Sequence, residues 1–181
     1  MIKLIIRQLV NSPFYPHWLE FYKRKRGDNY TLRNLKGKII EVGAGDGSRK
    51  YELVKRYKKI EKYISTDYSS WNSQFEKRDT KAKKFWGLSA EFFKISQRLP
   101  IDKICSALDI PYKESTFDYH LSFEVLEHVE NPNKFFKEAS RVVKKGGYII
   151  LSVPFLYKIH GGEPNGCLDY FRYTYGFFNE V

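Results

Sequence analysis

The chain has 181 residues, 42% of them hydrophobic and 17% aromatic, which suits one domain with a sizeable core and excludes a disordered or collagen-like chain. Its net charge of +11 is uneven, with 23 Lys and Arg against 10 Asp and Glu in residues 1–100 but 9 against 11 in residues 101–181. Cys105 and Cys167 show no Cys-x-x-Cys spacing and no stretch is long enough to span a membrane, so reduced thiols, no metal site and a cytoplasmic location are expected.

In chain order, Ile2, Ile5, Ile6, Leu9 and Val10 share one face of a short helix, with Lys3, Arg7 and Gln8 opposite. Tyr15, Trp18, Tyr22 and the run Lys23-Arg24-Lys25-Arg26 follow it. Residues 1–30 therefore read as an amphipathic, basic extension. It either docks on its own domain or lies on an anionic surface such as the inner membrane face.

Lys38-Ile39-Ile40-Glu41-Val42-Gly43-Ala44-Gly45-Asp46-Gly47-Ser48 is the segment around which the rest is organised. It predicts a buried strand, a tight glycine turn and a helix over residues 48–57, whose free N–H groups and positive dipole end face whatever the loop holds. Glu41, two residues before the first glycine, is an unusual carboxylate for a buried strand unless it meets a polar or cationic group. A second strand over residues 64–67 ends in Asp67, at the spacing where a doubly wound fold places the acid that holds ribose hydroxyls. Gly-x-Gly-x-Gly departs from the pyrophosphate-binding Gly-x-Gly-x-x-Gly, so a nucleoside ligand without a diphosphate fits better than a dinucleotide.

Residues 70–100 form a long basic and aromatic connection, predicted helical, with Trp71, Phe75, Phe85, Trp86, Phe92 and Phe93 packing inward or walling the ligand. A third strand is predicted over residues 102–107 and a fourth over 117–123. Asn131 and Pro132 then open a helix whose apolar face is Phe135, Phe136, Ala139, Val142 and Val143. Lys144 and Lys145 are placed in its last turn and Gly146 at its stop, before a fifth strand over 148–153. Alternating strands and helices imply a doubly wound α/β fold with parallel strands.

These motifs, in this order, resemble the class I S-adenosylmethionine-dependent methyltransferases over roughly residues 35–181. They are Glu41 to Gly47, Asp67, Ile110-Pro111-Tyr112, Phe117-Asp118 and Glu124-Val125-Leu126-Glu127-His128 before Gly146-Gly147. The resemblance implies a Rossmann-like sheet of order 3-2-1-4-5 over residues 31–181, with S-adenosyl-L-methionine as cofactor. It implies a glycine loop (Gly43, Ala44, Gly45, with Glu41) facing the methionine part of the cofactor. Asp67, with Tyr68 beside it, is implied to hold the ribose, Ser106 and Ala107 to meet adenine, and Phe123 to be a further cofactor-binding residue. The family often has an aspartate where this chain has Ser106, implying a weaker adenine contact. The segment around Asp169-Tyr170-Phe171-Arg172-Tyr173-Thr174 looks like that of bacterial members associated with surface glycans.

A small-molecule acceptor, with methyl transfer to oxygen, is therefore expected; an RNA acceptor or a cofactor-binding module without catalysis are the alternatives. Alignment and exclusion of water carry much of such a reaction, and a hydroxyl acceptor also benefits from a general base. His128, His160 and Asp169 are the candidates. Each has a structural alternative: His128 as a helix cap, His160 as an exposed loop residue, Asp169 as the partner of Arg172. The family continues with two more strands. With these apparently missing after Thr174, Phe177 and Phe178, self-association through the exposed edge 148–153 is expected.

Overall fold

The computed structural model describes residues 32–45, 47–68, 101–154 and 168–180. The expectations for residues 1–30, for the aromatic connection 70–100 and for His160 lie outside them. The elements are β1 (Gly37–Val42), α1 (Ser48–Arg56), β2 (Ile60–Asp67), β3 (Lys103–Ile104) and β4 (Phe117–Phe123). A 3-10 turn (Leu126–His128), α2 (Pro132–Val142), β5 (Val143–Ser152) and α3 (Tyr175–Phe178) follow. The strands form one sheet in the order β3-β2-β1-β4-β5, every neighbouring pair parallel, as expected. The order reverses between β1 and β4, so the crevice at their carboxyl ends is where this architecture receives a ligand.

Strand alternation gives the sheet two buried faces. Ile39, Tyr63 and Leu121 point to the side covered by Leu53 of α1 together with Leu32 and Leu35. Ile40, Val42, Ile64 and Phe117 pack on the other side with Val142 of α2. Helix α2 begins where the sequence placed it, with the Asn131 side chain accepting a hydrogen bond from the Lys134 N–H at 3.0 Å. Segment 168–178 is fastened by a third cluster, in which Tyr173 packs with Leu126, Val129 and Phe135, and Phe177 and Phe178 join them. Thr174 occupies the cap position of α3, but its side chain makes no capping hydrogen bond.

Three boundaries differ from the sequence reading. Strand β2 begins at Ile60 rather than residue 64, because β1 pairs with it along its whole length. Strand β3 is only two residues long. Ser106 turns the chain out of the sheet by accepting the Leu108 N–H at 3.1 Å and bridging to Asp109. Helix α2 ends at Val142, and Val143 is already extended and paired with Phe117. Lys144, Lys145 and Gly146 therefore belong to an irregular start of β5 and not to a helix end. There Lys144 reaches Asp118 at 2.8 Å, and a side chain on Gly147 would collide with the Asp118 carbonyl at 2.7 Å. Strand β5 lies at one edge of the described sheet, with Tyr148 exposed.

Candidate active site at the carboxyl ends of β1, β2 and β4

The glycine loop is stitched to the end of β2. The N–H groups of Gly43 and Ala44 both donate to the Thr66 carbonyl at 2.9 Å. The Gly45 N–H donates to one Asp67 carboxylate oxygen at 2.8 Å and the Tyr68 N–H to the other at 2.7 Å. Asp67 is thus held in one orientation and is only 5% exposed. The Tyr68 ring, by contrast, stands in solvent.

The two loop glycines have different physical reasons. Gly43 has φ +75° and lies against β4's following turn, where an added Cβ would come within 2.2 Å of a Val125 methyl. Gly45 has φ +60°, yet an added Cβ would meet nothing within 4 Å. Close packing requires the first; the second borders open space directly beside the Asp67 carboxylate. That is a cradle a side chain would fill, and it suits a nucleoside whose hydroxyls reach a fixed acid.

Glu41 is buried, but its polar partners belong to the chain itself. The Tyr63 hydroxyl donates to it at 2.8 Å and the Arg49 Nε approaches at 3.2 Å. Burial, then the Glu41 charge, push the Tyr63 hydroxyl's pKa far up, so it stays protonated and donating. The Arg49 guanidinium also lies 3.9 Å over the Phe123 ring. One buried carboxylate thereby ties β1, β2 and α1 together beside Phe123, a role that periodicity alone does not reveal.

The loop carrying Ser106 and Ala107 is clamped by α2. Arg141 donates to the carbonyls of Tyr112 and Ile110 at 2.7 and 2.8 Å, and Glu138 accepts the Ile110 N–H at 3.0 Å. Ala107 itself packs against the core, and Ser106 is engaged with Leu108.

After β4 the chain enters Glu124 at φ +56°, an uncommon conformation for a residue with a side chain, with its carboxylate accepting from the Ser152 hydroxyl at 2.8 Å. The 3-10 turn then carries Glu127 and His128, and segment 168–173 is latched onto it. His128 Nδ1 donates to the Leu168 carbonyl at 2.7 Å, Tyr170 N–H donates to the Glu127 carbonyl at 2.8 Å, and the Tyr173 hydroxyl donates to the Leu126 carbonyl at 3.1 Å. Since a carbonyl can only accept, this bond places a proton on Nδ1. Asp169 forms a two-pronged ion pair with Arg172. Of the candidate bases, His128 and Asp169 are therefore brought to one turn, with Asp169 engaged by a guanidinium.

Sequence reasoning singled out neither Glu127 nor Arg172 as a site residue. Glu127 is fully buried, and burial chiefly pushes its carboxyl up to about 7, opposed by a backbone N–H of its own residue and by Arg172, with smaller upward contributions from Glu124 and Asp169. The available signal was a second acid in the motif Glu-x-x-Glu-His. No group of three or more His, Cys, Asp or Glu among the described residues is arranged to hold a metal ion, and no helix among them is long and apolar enough to cross a membrane.

Residues 40–151 match the family described as "Methyltransferase domain", more than half of the chain. A ubiquinone/menaquinone biosynthesis C-methyltransferase of Rickettsia massiliae is 31% identical over 119 residues, covering 66% of this chain and 45% of that protein. An uncharacterised protein of Methanocaldococcus jannaschii is 42% identical over 67 residues, covering 36% of this chain and 33% of that protein. The chain thus spans less than half the length of these curated relatives. Among solved structures, an S-adenosylmethionine-dependent methyltransferase from Aquifex aeolicus has a TM-score of 0.50 at 20% identity, covering 77% of this chain and 69% of that one. A methyltransferase of an antibiotic biosynthesis pathway from Anabaena variabilis has a TM-score of 0.51 at 16% identity, covering 77% and 48%. At these identities the structural likeness establishes the fold. With the family match and the cradle formed by Gly43, Gly45 and Asp67, the chain belongs to the class I S-adenosylmethionine-dependent methyltransferases, and S-adenosyl-L-methionine is its cofactor.

Proposed function

We propose that this chain carries the catalytic domain of a methyltransferase that modifies a hydroxyl oxygen of a small molecule, a sugar or surface-glycan precursor being the class to test first. The observation that carries the oxygen assignment is the His128 ring. It stands on the turn that follows β4, where Nδ1 lies 2.7 Å from the Leu168 carbonyl. Bound S-adenosyl-L-methionine supplies a methyl group already made electrophilic by its positively charged sulfur. The chain's own residues hold and orient: Asp67 anchors the ribose hydroxyls, the glycine loop admits the methionine part, and Arg49 and Glu41 brace the loop against Phe123. His128 is the group suited to receive a hydroxyl proton.

The Rickettsia relative's printed name, a C-methyltransferase, favours carbon as the second reading. A transfer screen with methyl-labelled cofactor over sugars, lipid-linked glycan precursors, phenolic ring compounds and RNA, followed by product identification, separates them. Label on a sugar or other alkyl oxygen is the expected result. Label on ring carbon makes the second reading correct, and RNA labelled above every small molecule overturns both.

A further inference from the structure

Charge is unevenly distributed along the strand direction of the described residues. In a parallel sheet all strand starts lie at one end, and here residues 33–38, 55–62, 113–118 and 143–147 make up that end. They hold eleven Lys and Arg against three acids, Glu61, Glu114 and Asp118. The opposite end, where the cofactor crevice opens, carries Asp67, Glu124, Glu127 and Asp169. The fold also forces the lysines together. The Gly37 N–H donates to the Lys59 carbonyl at 2.9 Å, which sets Lys36 beside the turn of Lys58 and Lys59, and Lys38 is the register partner of Lys62 on the adjacent strand. All five are exposed. Lys144 pairs with Asp118 at 2.8 Å, but Lys36, Lys58, Lys59 and Lys62 face no carboxylate within ion-pair distance among the described residues. Like charges on neighbouring strands repel, so the arrangement costs folding stability and calls for a reason.

Helix dipoles explain only part of it. Helices α1 and α2 end at Arg56 and Val142, so both present their carbonyl ends here, which Lys55, Arg56 and Arg141 complement. The lysines of the turns and strand starts lie outside those helices. The same direction argues against a nucleic acid. The helix starts, whose N–H groups cradle phosphates, point to the other end, and nine of the eleven cations are lysines, which lack the guanidinium fork that grips phosphates and bases bidentately. Point charges on the turns of adjacent strands suit a broad polyanion met through diffuse attraction, as at a bilayer rich in acidic headgroups. The chain enters β1 from this same end, and residues 1–30, whose sequence reads as amphipathic and basic, precede that entry. We propose that the amino-terminal end of the sheet is a docking surface for an anionic lipid bilayer, through Lys36, Lys38, Lys58, Lys59 and Lys62, which holds the cofactor crevice away from the membrane and open to solution. The inference is independent of which atom the enzyme methylates.

The test uses the full chain and flotation with vesicles of phosphatidylcholine, alone or with about one-third phosphatidylserine. Binding is expected only to the anionic vesicles, and it should fall at least about tenfold between low and high salt as the charges are screened. Lys58→Glu with Lys59→Glu, and separately Lys36→Glu with Lys62→Glu, should each weaken binding about tenfold or more. Lys134→Glu with Lys137→Glu, exposed on α2, makes the same change in net charge and should change binding by no more than about twofold. Melting temperature and cofactor affinity should match the wild type in all three, and two separate lysine pairs guard against one that fails to fold. Wild-type binding by both pairs overturns the proposal, even where residues 1–30 still bring the chain to vesicles. Failure to bind anionic vesicles overturns it, and so does an equal loss in the Lys134 and Lys137 control. A single-stranded RNA added at equal phosphate concentration should not displace the protein; displacement with the same lysine dependence makes this a nucleic-acid surface instead. Amide hydrogen exchange on vesicles should slow at residues 34–38 and 57–62 and stay unchanged at 124–131, and the reverse pattern overturns the orientation.

Discussion

The Asp67 carboxylate accepts the backbone N–H of Gly45 at 2.8 Å, so the acid at the end of β2 and the glycine turn after β1 are one rigid unit. Each presents the other: the carboxylate fixes the turn, and the turn orients the carboxylate beside the open space at Gly45.

Replacing Asp67 by Ala should weaken binding of S-adenosyl-L-methionine by about 1–3 kcal/mol, the loss of charge-assisted hydrogen bonds to ribose hydroxyls. Titration calorimetry on the full chain checks it. Affinity equal to that of the wild type would remove Asp67 from the site.

The two loop glycines should fail in different ways. Gly43→Ala combines left-handed strain of about 1–2 kcal/mol with a collision against Val125 and should lower thermal stability by several degrees without cofactor. Gly45→Ala meets no atom, should pay only the strain, and should lose most of the stabilisation that added cofactor gives the wild type. Melting curves with and without cofactor distinguish them, and equal behaviour of the two variants would contradict the geometry.

Arg141 should matter to the cofactor although it lies on α2. It holds the Ile110 and Tyr112 carbonyls, and its own hydrogen bond draws the Glu138 carboxyl below the usual carboxylate range. Because the pair is partly solvated, Arg141→Ala should cost only about 1–2 kcal/mol in urea unfolding. It should also weaken cofactor binding by loosening the loop that carries Ser106 and Ala107. Faster hydrogen exchange confined to residues 105–112 is the signature to measure.

His120 is a core histidine, edge-on to Phe135 at 5.5 Å, with both ring nitrogens unpartnered among the described residues. Burial pushes it down to about 4 from its ordinary 6.5. A depressed folded value means the protein is favoured above the unfolded value and loses stability as pH falls from about 6.5 toward 4, by up to about 3 kcal/mol. Glu127, pushed up to about 7, acts in the opposite sense, its contribution being complete below about 4.5 and lost as pH rises through 7. The two slopes oppose each other in the wild type, so His120→Leu is the informative comparison. It should be more stable than the wild type at pH 5 by more than it is at pH 7.5 in urea titrations, and a pH-independent difference would contradict the assignment.

Local chemistry in the sequence determined much of this protein. The glycine turn, Asp67 at the end of a strand and the Asn131-Pro132 helix start are encoded by neighbours within a few residues, and each stands where that reading put it. The tertiary structure decided what depends on contacts between distant segments. Val143 left the helix because a strand 26 residues earlier offered pairing to Phe117, a gain that outweighed local helix-ending signals. Glu41 meets Arg49 and Tyr63 because β2 and α1 fold over β1. Glu127 became a buried carboxyl facing His128 only when segment 168–173 closed over its turn, and burial of that kind has no periodicity along the chain from which it could be read.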